Sequence, residues 1–258
     1  MLICPVCKKV LFLNDRSYIC ENRHTFDLAK KGYVNLLMSS SARTHGDDKI
    51  MADARRDFLD TGFYKPLRDK ICEIITGGTV LDLGCGEGYY TEGITADEIY
   101  AMDISKDAIS GACRRLRGKN VVTCVAGCAD IPLESDSCDY VLSVFAPVKD
   151  SELLRIIKPR GKVVRVTPGI DHLFELKSAV YDNPLKNTPI DMTLCGFEIT
   201  KTYGVSYNVT LDKEQAKSLF TMTPYYYKTS LSDISKLDSI ETLDVTAQFD
   251  ITVYEADK

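Results

Sequence analysis

The stretch Val80–Thr91, reading Val-Leu-Asp-Leu-Gly-Cys-Gly-Glu-Gly-Tyr-Tyr-Thr, constrains the fold of this chain more than any other. An apolar run over 79–83 ends in glycines at three alternate positions, Gly84, Gly86 and Gly88. That pattern describes a buried strand stopping at a tight turn where the backbone passes close to a ligand. The third glycine comes one residue sooner than in the dinucleotide fingerprint G-x-G-x-x-G. Asp82 and Glu87 make the loop acidic, so it repels a pyrophosphate and suits a ligand with a positive end. Nineteen residues after Gly84, Asp103 closes a second predicted strand (99–102), where its carboxylate is placed to accept both hydroxyls of a ribose.

A positive end and a ribose together describe S-adenosylmethionine, which carries an ammonium and a sulfonium. Gly-loop and acid resemble those of the Rossmann-like S-adenosylmethionine methyltransferases. Downstream residues support that architecture. Helices are predicted from Tyr89 to Ile94, 106–117 and 151–157, and strands over 121–125, 140–145 and 162–167. Short β-branched strands alternating with helices specify a parallel, doubly wound α/β sheet. Near the end, 198–209 and 244–254 read as two strands pairing antiparallel, with a helix near 213–220 between them; Val245, Ala247, Phe249, Ile251 and Val253 alternate as a half-buried strand does. In such a fold the ligand lies at the carboxyl ends of the strands. Gly84, Gly86, Glu87, Gly88 and Asp82 are then expected around the methionine portion, Asp103 at the ribose, and Gly127-Cys128-Ala129 along the adenine, with Cys128 the candidate contact. Asp130 falls three places late for an adenine contact. Phe145-Ala146-Pro147 faces the methyl acceptor. The chain carries neither Asn/Asp-Pro-Pro-Tyr there nor a Pro-Cys dipeptide anywhere. This argues against exocyclic amines and pyrimidine carbons as acceptors. What remains is in-line transfer to a ring nitrogen, or to a small molecule's oxygen or nitrogen.

The amino-terminal segment carries different chemistry. Cys4, Cys7, Cys20 and His24 are spaced C-x2-C-x12-C-x3-H. The first pair forms a knuckle, and a hairpin turning at Asn14-Asp15 returns through 17–19 to deliver the second pair. Four ligands with no vacancy describe a closed, structural tetrahedral Zn2+ site; a redox C-x-x-C has no need of Cys20 and His24. So small a module owes its folding to the metal. Phe26, Leu28, Tyr33, Val34, Leu36 and Leu37 continue it as packing residues. A small, polar stretch around 39–46, with His45 an ordinary loop residue, reads as a linker. The division expected is a zinc module at 1–38, a linker at 39–50 and a catalytic domain at 51–258. Residues 1–45 hold seven Lys and Arg against three Asp and Glu, whereas the whole chain carries −5. That asymmetry points a basic end at a polyanion. Ten cysteines spread along a chain with no signal peptide suit a reducing, cytoplasmic setting, and no apolar run is long enough for a bilayer. Between linker and glycine loop, two helices are predicted, one carrying Met51, Ala54, Phe58 and Leu59 and the other starting at Tyr64-Lys65-Pro66. Arg55 and Arg56 are expected on the polar side of the first.

Beyond the superfamily, several separated motifs closely resemble one family: Cys-Pro-Val-Cys with Tyr18-Ile19-Cys20 and Arg23-His24; Gly32-Tyr33-Val34-Asn35-Leu36-Leu37; the run 54–60; Tyr64-Lys65-Pro66-Leu67-Arg68; Thr167-Pro168-Gly169; the run 172–177; and Met222-Thr223-Pro224. The family is the 23S ribosomal RNA guanine-N1-methyltransferases (RlmA). The resemblance implies methyl transfer from S-adenosylmethionine to a guanine in a 23S RNA hairpin by a homodimer. It also implies cofactor contacts at Tyr64 and His172, positions that the residues alone read as a core aromatic and a helix-start residue. The zinc module then reads RNA phosphate through Lys8, Lys9, Arg16, Arg23, Lys30 and Lys31. Two alternatives remain open to the sequence. One is a small-molecule or protein methyltransferase with a structural zinc lid, and the other a cofactor-sensing RNA-binding protein without turnover.

Overall fold

Strand and helix signals resolve into two sheets in a computed structural model that describes residues 1–38 and 48–258. β1 (Leu11–Asn14), β2 (Ser17–Cys20) and β3 (Thr25–Asp27) form a small antiparallel sheet. They are followed by β4 (Val34–Asn35), α1 (Lys49–Leu59) and α2 (Lys65–Ile74). The alternating region gives β5 (Thr79–Leu83), α3 (Tyr89–Gly93), β6 (Glu98–Asp103), α4 (Lys106–Arg115), β7 (Val121–Val125), β8 (Cys138–Val144), α5 (Asp150–Ile156) and β9 (Ile157–Pro168). The remainder is α6 (Phe174–Val180), β10 (Phe197–Asp212), α7 (Lys213–Thr221), α8 (Leu231–Ile234) and β11 (Thr242–Ala256).

The large sheet has the order β10-β11-β9-β8-β5-β6-β7-β4. Strands from β4 to β9 run parallel, whereas β11 is antiparallel to both β9 and β10. From Val80 to Leu83, β5 is fully buried, as an unbroken apolar run in a parallel sheet covered on both faces requires. β11 buries Val245, Ala247, Phe249 and Ile251 and turns the intervening residues outward, the period-two pattern of its sequence. Helix starts follow local chemistry. Asp48 accepts from Met51 N–H at 3.0 Å, Ser105 from Ala108 N–H at 3.3 Å, and Asp212 with Gln215 forms a reciprocal capping box. Pro66 occupies the first turn of α2, where its missing N–H does no harm. Among the described residues no helix is long and apolar enough to cross a membrane.

One arrangement departs from the expected division. Val34 and Asn35 leave the zinc module and pair in parallel with Cys124 and Val125, forming the edge of the large sheet. Leu2 bridges to Leu133, Ile3 N–H donates to Pro132 O at 2.9 Å, and Leu2 and Leu36 share one core with Leu81, Tyr100 and Met102. A module this small has little interior of its own, and it buries its apolar side against the larger sheet. The stretch expected as a linker falls mostly on 39–47, outside the described residues, as does His45; α1 begins at Lys49, two residues before the expected boundary.

Candidate cofactor pocket and metal centre

Two similar backbone turns build the metal centre. Lys8 and Arg23 both adopt left-handed conformations, with φ of 61° and 62°. Lys8 N–H donates to Cys4 O and Arg23 N–H to Cys20 O, each at 2.8 Å. Each turn tightens the chain so that two ligands face one point. The four ligand atoms of Cys4, Cys7, Cys20 and His24 all lie within 4.8 Å of one another. Cys4 Sγ is 3.5 Å and Cys20 Sγ 3.4 Å from His24 Nδ1, and Cys7 Sγ is 3.6 Å from Cys20 Sγ. Zn–S bonds of about 2.3 Å and Zn–N bonds of about 2.0–2.1 Å give tetrahedral edges of roughly 3.6–3.8 Å, so the donor set fits zinc. The backbone N–H of Lys9 leads the groups holding the Cys7 thiol down at about 6, toward the thiolate that a metal needs.

At the carboxyl ends of β5 to β9 lies a cavity of about 760 Å³, within the range of ordinary ligand pockets. Its floor is the glycine loop, which is shaped by close approaches. A Cβ on Gly84 would lie 2.4 Å from the Ala146 Cβ, and Gly84 sits at φ +77°. Asp103 ties the loop to β6: one carboxylate oxygen accepts from Gly86 N–H at 3.0 Å and the other from Ser105 N–H at 2.8 Å. Glu87 is buried, with Oε2 held by Arg115 Nε and Nη2 at 3.0 and 2.9 Å, while Oε1 has no hydrogen-bond partner among the described residues. Burial raises its pKa to about 6 against the pull of Arg115. An orphaned carboxylate oxygen beside an acidic loop fits a ligand that brings its own cation, which is what S-adenosylmethionine would offer.

Of the expected cofactor set, Tyr64, Gly84, Gly86, Glu87, Asp103, Cys128 and His172 all line this cavity. Asp82 and Gly88 lie behind its wall instead. Asp82 is only 1% exposed and accepts from Thr91 Oγ1 at 2.5 Å, which fixes the start of α3; burial raises its pKa to about 7. Gly88 leads into α3 at φ +85°, with Leu116 3.1 Å from where its Cβ would be. Both hold the loop's shape and are not among the residues lining the cavity. Asp130 is turned outward, accepting from Lys8 at 2.7 and 2.6 Å, and takes no part in the cavity.

On the far side, Gln248 N–H donates to His172 Nδ1 at 3.2 Å, and His172 Nε2 lies 3.4 Å from the Tyr64 hydroxyl. Burial, with Lys177 adding to it, lowers the pKa of His172 to about 3, so the imidazole is neutral. A backbone N–H can only donate, so Nδ1 accepts and the proton resides on Nε2, directed at the Tyr64 oxygen. The Tyr64 proton is then left to donate into the cavity.

Arg55, expected on the polar side of α1, lines the cavity because α7 packs against α1: its guanidinium donates to Met222 O at 3.0 Å. Arg56 stays outside, paired with Asp53 at 2.7 Å and Asp57 at 2.9 Å. Residues 222–225 and Arg165 complete the wall. Only the Met222-Thr223-Pro224 motif signalled that the late segment returns to the site; Arg165, on β9, carried no signal.

The six basic residues expected to meet RNA are all exposed. Lys8 pairs with Asp130 and Lys9 with Glu21 at 2.9 Å, Arg16 approaches Ala29 O at 3.5 Å, and Lys31 donates to Ser110 Oγ. Exposed pairs of this kind are weak and readily exchanged for phosphate.

Comparison with known proteins agrees with both halves of this geometry. Residues 2–41 match the family model described as RlmA, N-terminal, and residues 80–165 match the methyltransferase domain. The YxjB protein of Bacillus subtilis (strain 168), provisionally named a 23S rRNA (guanine-N(1)-)-methyltransferase, is 31% identical over 98% of this chain and 96% of its own length. The chain belongs to the 23S rRNA (guanine-N1)-methyltransferase family. A second member, the 23S rRNA (guanine(748)-N(1))-methyltransferase of Streptomyces fradiae, is 35% identical over 69% of this chain and 67% of its own. Among solved structures, the YcgJ protein of Bacillus subtilis shares the fold, with a TM-score of 0.51 at 11% identity over 74% of this chain and 98% of its own. Membership in this family accounts for a zinc ribbon fused to a methyltransferase sheet in one chain.

Proposed function

We propose that this enzyme transfers a methyl group from S-adenosylmethionine to N1 of a guanine in a hairpin of 23S ribosomal RNA. One observation carries the reading. An acidic glycine-loop cavity with an orphaned acceptor at Glu87 Oε1 stands on the same sheet that anchors a closed Cys3His centre bearing exposed cations. Bound there, the cofactor supplies an electrophilic methyl. Glu87 and the glycine loop would hold its methionine portion, Asp103 its ribose hydroxyls and the segment at Cys128 its adenine edge, with the Tyr64 proton, placed through His172, on the facing wall. Closed zinc coordination by Cys4, Cys7, Cys20 and His24 keeps the ribbon's basic residues in register, and Lys8, Lys9, Arg16, Arg23, Lys30 and Lys31 take up phosphate.

N1 of guanine is protonated and paired within a helix, so the base must be unpaired or extruded to react. On the wall, Glu87 is tied to Arg115 and Asp103 to Gly86 and Ser105, while His172 presents a proton. The cavity wall also carries the guanidiniums of Arg55, which donates to Met222 O, and Arg165, which donates to Asp191 O. A cation at O6 stabilises the anion formed as N1 gives up its proton to solvent, and that charge is discharged as N1 takes the methyl group and the sulfonium leaves as a neutral thioether. Under this reading the chain works as a homodimer in the cytoplasm, where its RNA is made. Purified protein incubated with labelled cofactor should label 23S RNA from cells lacking the modification and leave fully modified 23S RNA unlabelled. Equal labelling of both, or of neither, overturns the proposal.

A further inference from the structure

Phe145 is an unusual residue for its position. It follows β8 directly, at a φ of +56°, in the left-handed region that bulky side chains rarely adopt. Its N–H donates to Val166 O at 3.1 Å, which fixes that conformation. The ring lies on the cavity wall yet is 46% exposed, among surroundings where most aromatic rings are buried. One face is braced. His172 lies nearly parallel, with centroids 6.2 Å apart and planes 26° apart, and Phe249 is 5.9 Å away behind both. The exposed part of the ring belongs to the cavity wall.

The place of this ring in the sheet says what it can meet. Asp103 and the Ala126–Cys128 segment lie over β6 and β7, on one side of β5, and the glycine loop tops β5 itself. Phe145 stands over β8, on the opposite side, where a cofactor spanning β7 to β5 leaves the cavity open. Ala146, the next residue, packs against Gly84, so the ring is fixed beside the end of the loop. A flat, apolar, half-exposed surface there matches the face of a planar heterocycle rather than a chain-like or charged acceptor.

We propose that Phe145 is the platform on which the target guanine stacks after leaving its helix, with His172 and Phe249 as its backing. This role rests on the guanine-methylating reading above and specifies how the base is held. Stacking fixes the plane of the base, so that N1 meets the methyl group edge-on and O6 turns toward the guanidiniums. The left-handed backbone is held by the Val166 hydrogen bond and by Ala146 against Gly84, and in that conformation the ring lines the cavity.

The test compares Phe145→Leu, Phe145→Tyr and Phe145→Trp in the full-length protein. Cofactor affinity and thermal midpoint are measured alongside steady-state methyl transfer to unmodified 23S RNA. Phe145→Leu keeps apolar bulk but no π-face. It should leave cofactor affinity unchanged and lose roughly 5- to 150-fold in kcat/KM for RNA, the equivalent of about 1–3 kcal/mol of base stacking. Phe145→Tyr and Phe145→Trp should restore most of that loss. Full activity in Phe145→Leu overturns the proposal, as does failure of both aromatic variants to recover, or a loss matched by an equal loss of cofactor affinity. If the wild-type protein methylates no RNA, the functional reading itself falls, and this role with it.

Discussion

At the scale of single residues, the glycine loop is held most tightly at Gly84. Gly84 is both left-handed and pressed against Ala146, so Gly84→Ala brings backbone strain together with a clash. It should cost roughly 2–4 kcal/mol in urea unfolding, and Ala146→Gly in the same chain should recover about half. Asp82 and His172 act on stability in opposite directions. Asp82 binds its proton more tightly folded (about 7) than unfolded (3.8), so its contribution is full below 3.8 and is lost as pH rises toward 7. His172 is kept neutral by burial, so its contribution is full above 6.5 and is lost as pH falls toward 3. In the free wild-type protein the two slopes oppose each other between about 4 and 6.5. Asp82→Asn removes only the first, and its stability relative to wild type should climb with pH through this window. A flat difference would mean that Asp82 is ionised throughout. Gly84, Gly86, Glu87 and Asp103 were legible because glycine spacing and a strand-ending acid are local signals. That Asp82 serves Thr91 and not the cavity was not, because in sequence a buried carboxylate and a ligand contact look the same.

At the scale of elements, the zinc ribbon and the sheet are joined at β4. Its two residues carry no periodicity of their own, so only the unfilled edge of β7 reveals them as a strand. The hairpin β10–β11 was legible from alternation, because a sheet with one wet face writes its period into the chain. Chelation should therefore act unevenly. Removing zinc should raise hydrogen exchange across Leu11–Cys20 and Thr25–Asp27, while Leu36 N–H, bonded to Val125 O at 3.0 Å, keeps much of its protection. Reductant alone should change nothing. Unaltered exchange in the ribbon after chelation would show that the four ligands hold no metal.

At the scale of the whole molecule, the basic ribbon is fused to a chain that is acidic overall, and the proposed reading assigns the grip on RNA phosphate to that local charge. Deleting the ribbon would strip the edge of β7 and remove Leu2 and Leu36 from the core they share with Leu81 and Met102, so loss of activity in a truncation would not separate folding from recognition. Charge reversal is the cleaner change. Lys9→Glu, Arg23→Glu and Lys30→Glu together should weaken RNA binding and flatten its salt dependence by roughly three counterions, with cofactor affinity unchanged. The central claim is that the cavity methylates N1 of one guanine, and mapping the modified nucleosides of 23S RNA by mass spectrometry, with and without this protein, tests it most directly. N1-methylguanosine is expected at a single hairpin position, present only with the protein and lost in Asp103→Ala. A methyl group on another atom or another base, or none in 23S RNA, would contradict it.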